Sequence, residues 1–155
     1  MSLVESSGIG RGDLVLDLGA GDGAITRRLA DRGARVIAFE LHPGRVAALR
    51  ARFDRPSLVK VVRADITDLR LPRHRFSVVA NPPFGCVSRV LAQLTSHHSR
   101  MERATLVLPV SVAARWQHRL ARRPTPWTLT VVERVPRSAF TPRPRVDCCV
   151  VHIGR

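Results

Sequence analysis

Leu14-Val15-Leu16-Asp17-Leu18-Gly19-Ala20-Gly21-Asp22-Gly23 is the stretch of sequence that decides the fold. Its first half is a short apolar run typical of buried β-strands, and glycine then occupies alternate positions. Glycine permits a tight turn and lets a ligand approach the backbone closely. In an open α/β sheet such a turn lies at the carboxyl end of its strand, where ligands bind. The dinucleotide fingerprint Gly-x-Gly-x-x-Gly is not matched, so the turn favours a cofactor with an amino-acid tail over a pyrophosphate.

The residues around this stretch alternate between short apolar runs and segments of helical periodicity, the pattern of parallel βα units. Strands are predicted at 14–18, 35–40, 58–63, 76–80 and 103–108, and helices at 23–32, 43–53, 86–96 and 110–122. Two further strands, 127–135 and 146–153, are predicted to close the sheet as an antiparallel pair joined by an ordered proline-rich loop. We therefore expect an α/β, Rossmann-like fold with about seven strands, mostly parallel, and helices on both faces.

Acidic residues follow the second and third predicted strands. Glu40 ends the second strand, 19 positions after Gly21, where an acid can accept hydrogen bonds from both hydroxyls of a ribose. Asp65 follows the third strand and can accept a hydrogen bond from an adenine amine, with Ile66 packed on the ring. Either acid alone reads more readily as a solvent-facing residue at a strand end. Their placement after consecutive strands indicates nucleoside recognition.

Asn81-Pro82-Pro83-Phe84 follows the fourth predicted strand and carries the reaction chemistry. The exocyclic amine of adenine is a weak nucleophile because its lone pair is delocalised into the ring. The Asn81 amide oxygen and the Pro82 carbonyl can accept hydrogen bonds from the amine protons and so favour a tetrahedral nitrogen in the transition state. Prolines stiffen the loop, and Phe84 offers a flat face to an extruded base. A plain surface turn is the alternative interpretation of this motif alone.

Together, the glycine turn and this motif indicate an enzyme that methylates an exocyclic amine with S-adenosylmethionine. The residues predicted to hold this cofactor are Asp17, Leu18, Gly19, Gly21, Glu40, Leu41, Asp65, Ile66 and Asn81. The residues predicted to be catalytic are Asn81, Pro82 and Phe84.

The charge of the chain indicates a polyanionic partner. Its 155 residues fit one domain, yet they carry a net charge of +14 and a pI of about 11.8. Lys60 is the single lysine among 26 basic residues, and arginine suits phosphate recognition and stacking on bases. Arginine-rich codon usage would explain the choice of arginine over lysine, but it does not explain why only 12 acidic residues are present.

Several other classes of function are disfavoured. No apolar run approaches the roughly 20 residues of a membrane span, and no signal-type segment opens the sequence, so we expect a cytoplasmic protein. Cys86, Cys148 and Cys149 include no Cys-x-x-Cys pair and are interpreted as reduced packing residues. The histidines share no ligand spacing, so no metal is expected. We also expect a monomer.

With the stretch 135–147, the motifs resemble the rRNA adenine N6-methyltransferase superfamily, which includes the Erm macrolide-resistance enzymes and the KsgA-type dimethyltransferases. The family carries a Phe-x-Pro-x-Pro-x-Val-Asp block before its last strand, similar to Phe140-Thr141-Pro142-Arg143-Pro144-Arg145-Val146-Asp147. Phe140 matches the aromatic residue implicated in holding the flipped base, and Pro136-Arg137 looks more like Erm. The resemblance implies methylation of adenine N6 in rRNA, with large-subunit rRNA as the leading substrate. The predicted substrate contacts are Phe84, Phe140, Arg137, Arg143 and Arg145.

Three departures from the family keep other functions open. The family usually has Asn-Ile-Pro or Asn-Leu-Pro, whereas the Asn81-Pro82-Pro83 sequence also suits DNA adenine and protein glutamine methyltransferases. The Gln-Asn-Phe segment that covers the cofactor and the small helical C-terminal domain are not found, so we expect 1–155 to be one catalytic domain. A small-subunit rRNA dimethyltransferase and a non-catalytic RNA-binding relic of the fold are the further alternatives.

Overall fold

The computed structural model describes residues 2–54 and 58–155. Within them the helices are α1 Leu3–Ser6, α2 Ala24–Asp31, α3 Pro43–Arg52, α4 Val87–Leu94 and α5 Val110–Ala121. The strands are β1 Leu14–Leu18, β2 Arg35–Glu40, β3 Val59–Arg63, β4 Phe76–Ala80, β5 Met101–Pro109, β6 Thr128–Val135 and β7 Cys148–Gly154. Two short 3₁₀ helices lie at Phe84–Cys86 and Arg137–Ala139.

The strands form a seven-stranded sheet in the order β3-β2-β1-β4-β5-β7-β6. The first five strands are parallel, while β7 runs antiparallel to both β5 and β6. This arrangement confirms the predicted Rossmann-like, mostly parallel sheet. The sequence reading missed α1, although Ser2 and Glu5 form a capping box at its start.

The alternation of side chains along β1 assigns the helices to two layers. Leu16 and Leu18 are fully buried in the same cluster as the apolar residues of α4 and α5. Val15 points the other way, into a cluster with Val4 of α1 and Leu29 of α2. Because both faces are covered, the strand reads as a continuous apolar run. Truncation of a fully buried leucine such as Leu16 to alanine costs about 2–5 kcal/mol of stability.

The direction of chain progression in the sheet reverses between β1 and β4. From β1 the chain extends outward through β2 to β3, then returns to place β4 on the other side of β1. In open α/β sheets ligands bind at the carboxyl ends of the strands beside such a switch point. The glycine turn after β1 and the Asn81 motif after β4 both lie there.

Candidate active site

A cleft of about 700 Å³ opens at the carboxyl ends of β1 to β4 and is bounded on its far side by the loop between β6 and β7. Predicted cofactor and substrate residues meet in it. Its lining includes Gly19, Glu40, Leu41, Asp65, Ile66, Asn81, Pro82, Phe84 and Phe140. Residues predicted for two different molecules therefore share one cavity.

The glycine turn and the Asn-Pro-Pro motif are in direct contact. Gly19 has φ +81°, a backbone conformation that favours glycine, and a Cβ built there would lie 3.0 Å from Pro83 Cδ. The amides of Gly19 and Ala20 both donate to the carbonyl of Phe39, each at 2.9 Å. The absence of a side chain at Gly19 is thus what lets the turn and the motif pack together.

Glu40 is held by backbone amides of the cleft. Its side chain is buried, and its Oε2 accepts from the amide of Gly21 at 2.9 Å. Its Oε1 accepts from the amides of Leu41 and His42, each at 2.9 Å. The sequence predicted that this carboxylate accepts from ribose hydroxyls, and in the structure it also joins the segment at Gly21 to the segment at Leu41 and His42. Oε2 has a single donor and so keeps acceptor capacity toward the cleft.

Asp65 presents a charged carboxylate at the cleft mouth. Its Oδ1 accepts from the Thr67 amide and the Thr67 hydroxyl, each at 2.8 Å. These hydrogen bonds lower the pKa of Asp65, so the group is ionised at neutral pH. Within residues 2–54 and 58–155 its Oδ2 has no hydrogen-bond partner, and the neighbouring Ile66 is a buried apolar wall.

Asp17 and Leu18 do not line the cleft. Successive residues of a strand point to opposite faces of the sheet. Because helices cover both faces, the side chains of Asp17 and Leu18 are both buried in the core beneath the turn. Asp17 Oδ2 accepts from the Thr26 hydroxyl of α2 at 2.6 Å, while Oδ1 has no partner in the described part of the chain. Burial raises the pKa of Asp17 to about 7. The side chain of Asp17 thus lies under the turn, and its contact with the cofactor stays a prediction.

The Asn81 motif pairs a free amide with a stiff backbone. Asn81 is exposed, and its side-chain amide makes no hydrogen bond to any described residue. The Pro83 carbonyl accepts from the amide of Cys86 at 3.2 Å and from its thiol at 3.0 Å. Burial raises the pKa of the Cys86 thiol, which keeps it protonated as a donor. Phe84 is half-buried on the cleft wall.

The loop between β6 and β7 forms the opposite wall. Phe140 is half-buried and faces the cleft. Arg137 Nε donates to Asp147 Oδ1 at 2.6 Å, and this ion pair lowers the pKa of Asp147. Arg143 and Arg145 are exposed and make no side-chain hydrogen bond within the described ranges. The predicted three-arginine set therefore divides into one residue that ties the loop and two that face solvent.

The sequence analysis missed two cleft residues whose side chains can interact with a ligand. Arg45 lies in the first turn of α3, directly after β2, and its side chain lines the cleft beside Leu41. Cys86 ends the 3₁₀ helix that follows the Asn81 motif. Their positions in the sequence could have predicted this, because residues just beyond the carboxyl end of a parallel strand face the ligand site.

Two further properties concern the parts of the chain that the structure describes. No group of three or more His, Cys, Asp or Glu side chains there is placed to hold a metal ion. None of the helices there combines the length and the apolar composition of a membrane span.

Comparison with known proteins identifies the class and then the family. The seven-stranded, mostly parallel sheet with helices on both faces is the fold of the Rossmann-like class I S-adenosylmethionine-dependent methyltransferases. The crystal structure of the 23S rRNA methyltransferase ErmE superposes with a TM-score of 0.84 at 27% identity, covering 99% of this chain and 65% of that one. The family model for ribosomal RNA adenine dimethylase matches residues 2–155. The chain belongs to this family, as the sequence motifs predicted.

The curated relatives include one named for rRNA adenine in general and one named for small-subunit rRNA. The rRNA adenine N-6-methyltransferase of Bacillus licheniformis is 28% identical over 99% of this chain and 56% of its own length. The probable ribosomal RNA small subunit methyltransferase A of Methanosarcina barkeri is 31% identical over 97% of this chain and 55% of its own length. The chain thus spans about half the length of these relatives.

Proposed function

We propose that this chain transfers a methyl group from S-adenosylmethionine to the exocyclic N6 amine of an adenine in large-subunit rRNA. The single observation that carries the proposal is the position of Asn81. Its amide has no partner in the described chain, and it lines the same cleft as Gly19, Glu40 and the aromatic residues Phe84 and Phe140. An unoccupied acceptor next to a nucleoside-type site is what amine activation requires.

The residues of the cleft fit this cofactor. When bound, it supplies a methyl group carried on a sulfonium. Gly19 lines the cleft without a side chain, so its backbone is open to an amino-acid tail. Glu40 Oε2 retains acceptor capacity for a ribose hydroxyl, and Asp65 Oδ2 for an adenine amine. Ile66 supplies an apolar surface against the base.

The opposite part of the cleft suits an extruded base. Phe84 and Phe140 both line it and are half-buried, so each still has a face to offer. A base taken out of its stack regains stacking on such faces, worth roughly 1–3 kcal/mol each. The Asn81 amide oxygen and the Pro82 carbonyl then accept the amine protons and hold the nitrogen lone pair toward the methyl donor.

The choice of RNA rests on the comparisons and on charge. The ErmE structure named for 23S rRNA matches this chain over nearly its whole length. Arg143 and Arg145 are exposed beside Phe140 and suit phosphates flanking the base. An adenine in small-subunit rRNA is the second candidate substrate. The Methanosarcina barkeri relative is named for small-subunit rRNA, and its identity to this chain, 31%, is slightly higher than the 27% of ErmE. Large-subunit modification would reduce the macrolide sensitivity of cells that express the chain.

Three measurements test the proposal. Calorimetry with S-adenosylmethionine is expected to show one site, and primer extension on rRNA from expressing cells is expected to mark one large-subunit adenine. Mass spectrometry of the isolated nucleosides then counts one or two methyl groups. A mark on small-subunit rRNA would select the second candidate. Cofactor binding without any modified nucleoside, in wild type as in Asn81→Ala, would overturn the enzymatic proposal.

A further inference from the structure

A second basic surface lies at the edge of the sheet opposite the cleft. The amino ends of β4 and β5 are there, because β5 pairs in parallel with β4. The carboxyl end of β7 is there too, since Gly154 pairs with Arg103 near the start of β5. We define the basal surface by six exposed arginines at this edge: Arg73, Arg75, Arg100, Arg119, Arg123 and Arg155.

These arginines line three adjoining concavities. The concavities have volumes of about 740, 610 and 500 Å³. Arg100 and His98 line both the 740 Å³ and the 610 Å³ concavity, and His97 lines both the 610 Å³ and the 500 Å³ concavity. Glu102 is the single acidic residue that lines them within residues 2–54 and 58–155, and it already pairs with Arg75 at 3.2 Å. The surface is therefore continuous and strongly positive.

Part of this positive charge is held in place by buried tryptophans. The guanidinium of Arg119 stacks on Trp116, and that of Arg155 stacks on Trp127, each 4.7 Å from the ring centroid. Both indoles are almost fully buried, so the arginines rest on fixed supports. Arg155 also donates to the carbonyl of Ser99 at 3.1 Å. Prepositioned guanidinium groups lose less rotamer freedom when they bind an anion.

We infer that the basal surface binds the phosphate backbone of a second segment of the same RNA that enters the cleft. Fixed, planar guanidinium groups match phosphate oxygens with two parallel hydrogen bonds. The choice of RNA as the occupant rests on the function proposed above. A five-residue strand such as β4 spans about 17 Å, so an RNA that reaches both edges must pass around the domain. A short stem-loop would occupy only one of them.

The test compares two charge-matched double variants. Arg100→Gln with Arg123→Gln removes two basal charges from residues whose side chains make no hydrogen bond to the described chain. Arg28→Gln with Arg50→Gln removes two exposed charges from α2 and α3 and serves as the control. Fluorescence anisotropy measures binding of a stem-loop of roughly 15 nucleotides and of a structured RNA of roughly 60, at several salt concentrations, after melting curves establish that all proteins fold.

The basal variant is expected to flatten the salt dependence for the long RNA by about 1.4–1.8 in log–log slope, the loss of two phosphate contacts. Its affinity for the short stem-loop should stay at the wild-type value, and the control should match wild type with both. Wild-type affinity and slope of the basal variant for the long RNA would overturn the inference, as would equal losses in the two variants. Because binding is read without methyl transfer, an inactive wild type would refute the proposed reaction and leave this result standing.

Discussion

The two walls of the cleft use their polar atoms in opposite ways. On the cofactor wall (Gly19, Glu40, Leu41, Asp65 and Ile66), each carboxylate already accepts at least two hydrogen bonds from the protein. On the target wall (Asn81, Pro82, Phe84 and Phe140), the Asn81 amide has no partner among described residues and both aromatic rings are half-exposed.

The difference fits the proposed function, in which one wall holds the cofactor and the other the target base. A small cofactor is bound by groups whose positions are settled before it arrives, which lowers the entropy lost on binding. The amine of a target base instead requires an acceptor that is free until the base enters, because an occupied one would have to break a bond first.

The largest expected effect concerns Asp17, beneath the cofactor wall. Its folded pKa of about 7 exceeds the ordinary value of 3.8, so the folded state keeps a proton that the unfolded chain has lost between those pH values. Its contribution to the free energy of unfolding therefore falls by about 4 kcal/mol as the pH rises from about 4 to 7, and is constant above. Asp17→Asn should remove this slope, as measured by urea unfolding across the range.

Asp65→Asn is the control for that experiment. The pKa of Asp65 is lowered, so its contribution is present above the ordinary value and is lost only as the pH falls below about 4. The variant should therefore run parallel to wild type between pH 4 and 7. A slope that survives in Asp17→Asn would mean that Asp17 is not the buried titrating group.

Asn81→Ala is expected to have the next largest effect. If the amide positions the target amine, methylation should slow by roughly 10²–10³-fold, or 2.7–4 kcal/mol, as for one well-placed polar group. Since no described residue bonds this amide, melting temperature and most cofactor affinity should persist. Single-turnover transfer to rRNA, with calorimetry alongside, makes the measurement. Near-normal transfer would remove Asn81 from the catalytic group.

Much of this fold could be predicted from the sequence because the central strands are buried on both faces. Continuous apolar runs gave strands β1, β2 and β4 with the observed bounds. The hydrogen bonds and ion pairs between polar side chains could not be predicted. Arg137 meets Asp147 ten positions further along the chain, and Asp17 meets Thr26 only because α2 packs against β1. Such pairs depend on tertiary positions that no local pattern encodes.

Glu40→Ala and Asp65→Ala sharpen the comparison within the cofactor wall. Each should weaken S-adenosylmethionine binding by about 1.5–3 kcal/mol, roughly 10- to 150-fold, for a lost hydrogen bond to a charged group. Glu40→Ala should lower the melting temperature more than Asp65→Ala, because it leaves the amides of Gly21, Leu41 and His42 without a buried acceptor, whereas Asp65 is exposed to solvent. Calorimetry and thermal melting separate the two. Equal stability losses would show that Asp65 is as structural as Glu40.

The smallest effect tests the contact between the walls themselves. Gly19→Ala and Gly12→Ala impose an alanine at nearly the same backbone conformation, φ +81° and +86°. Each should lose about 1–2 kcal/mol of stability, the cost of a left-handed L-residue. Beyond this shared strain, Gly12 has nothing within 4 Å of the added carbon, whereas Gly19 would press on Pro83 at 3.0 Å.

Gly19→Ala alone should therefore displace the Asn81 motif and slow methylation, although both variants unfold at similar urea concentrations. Single-turnover rates at saturating cofactor isolate this effect from any loss of binding. The cofactor wall would then be shown to position the target wall as well as to hold its ligand. Equal rates for the two alanine variants would mean that Pro83 yields without moving Asn81, and that the walls act independently.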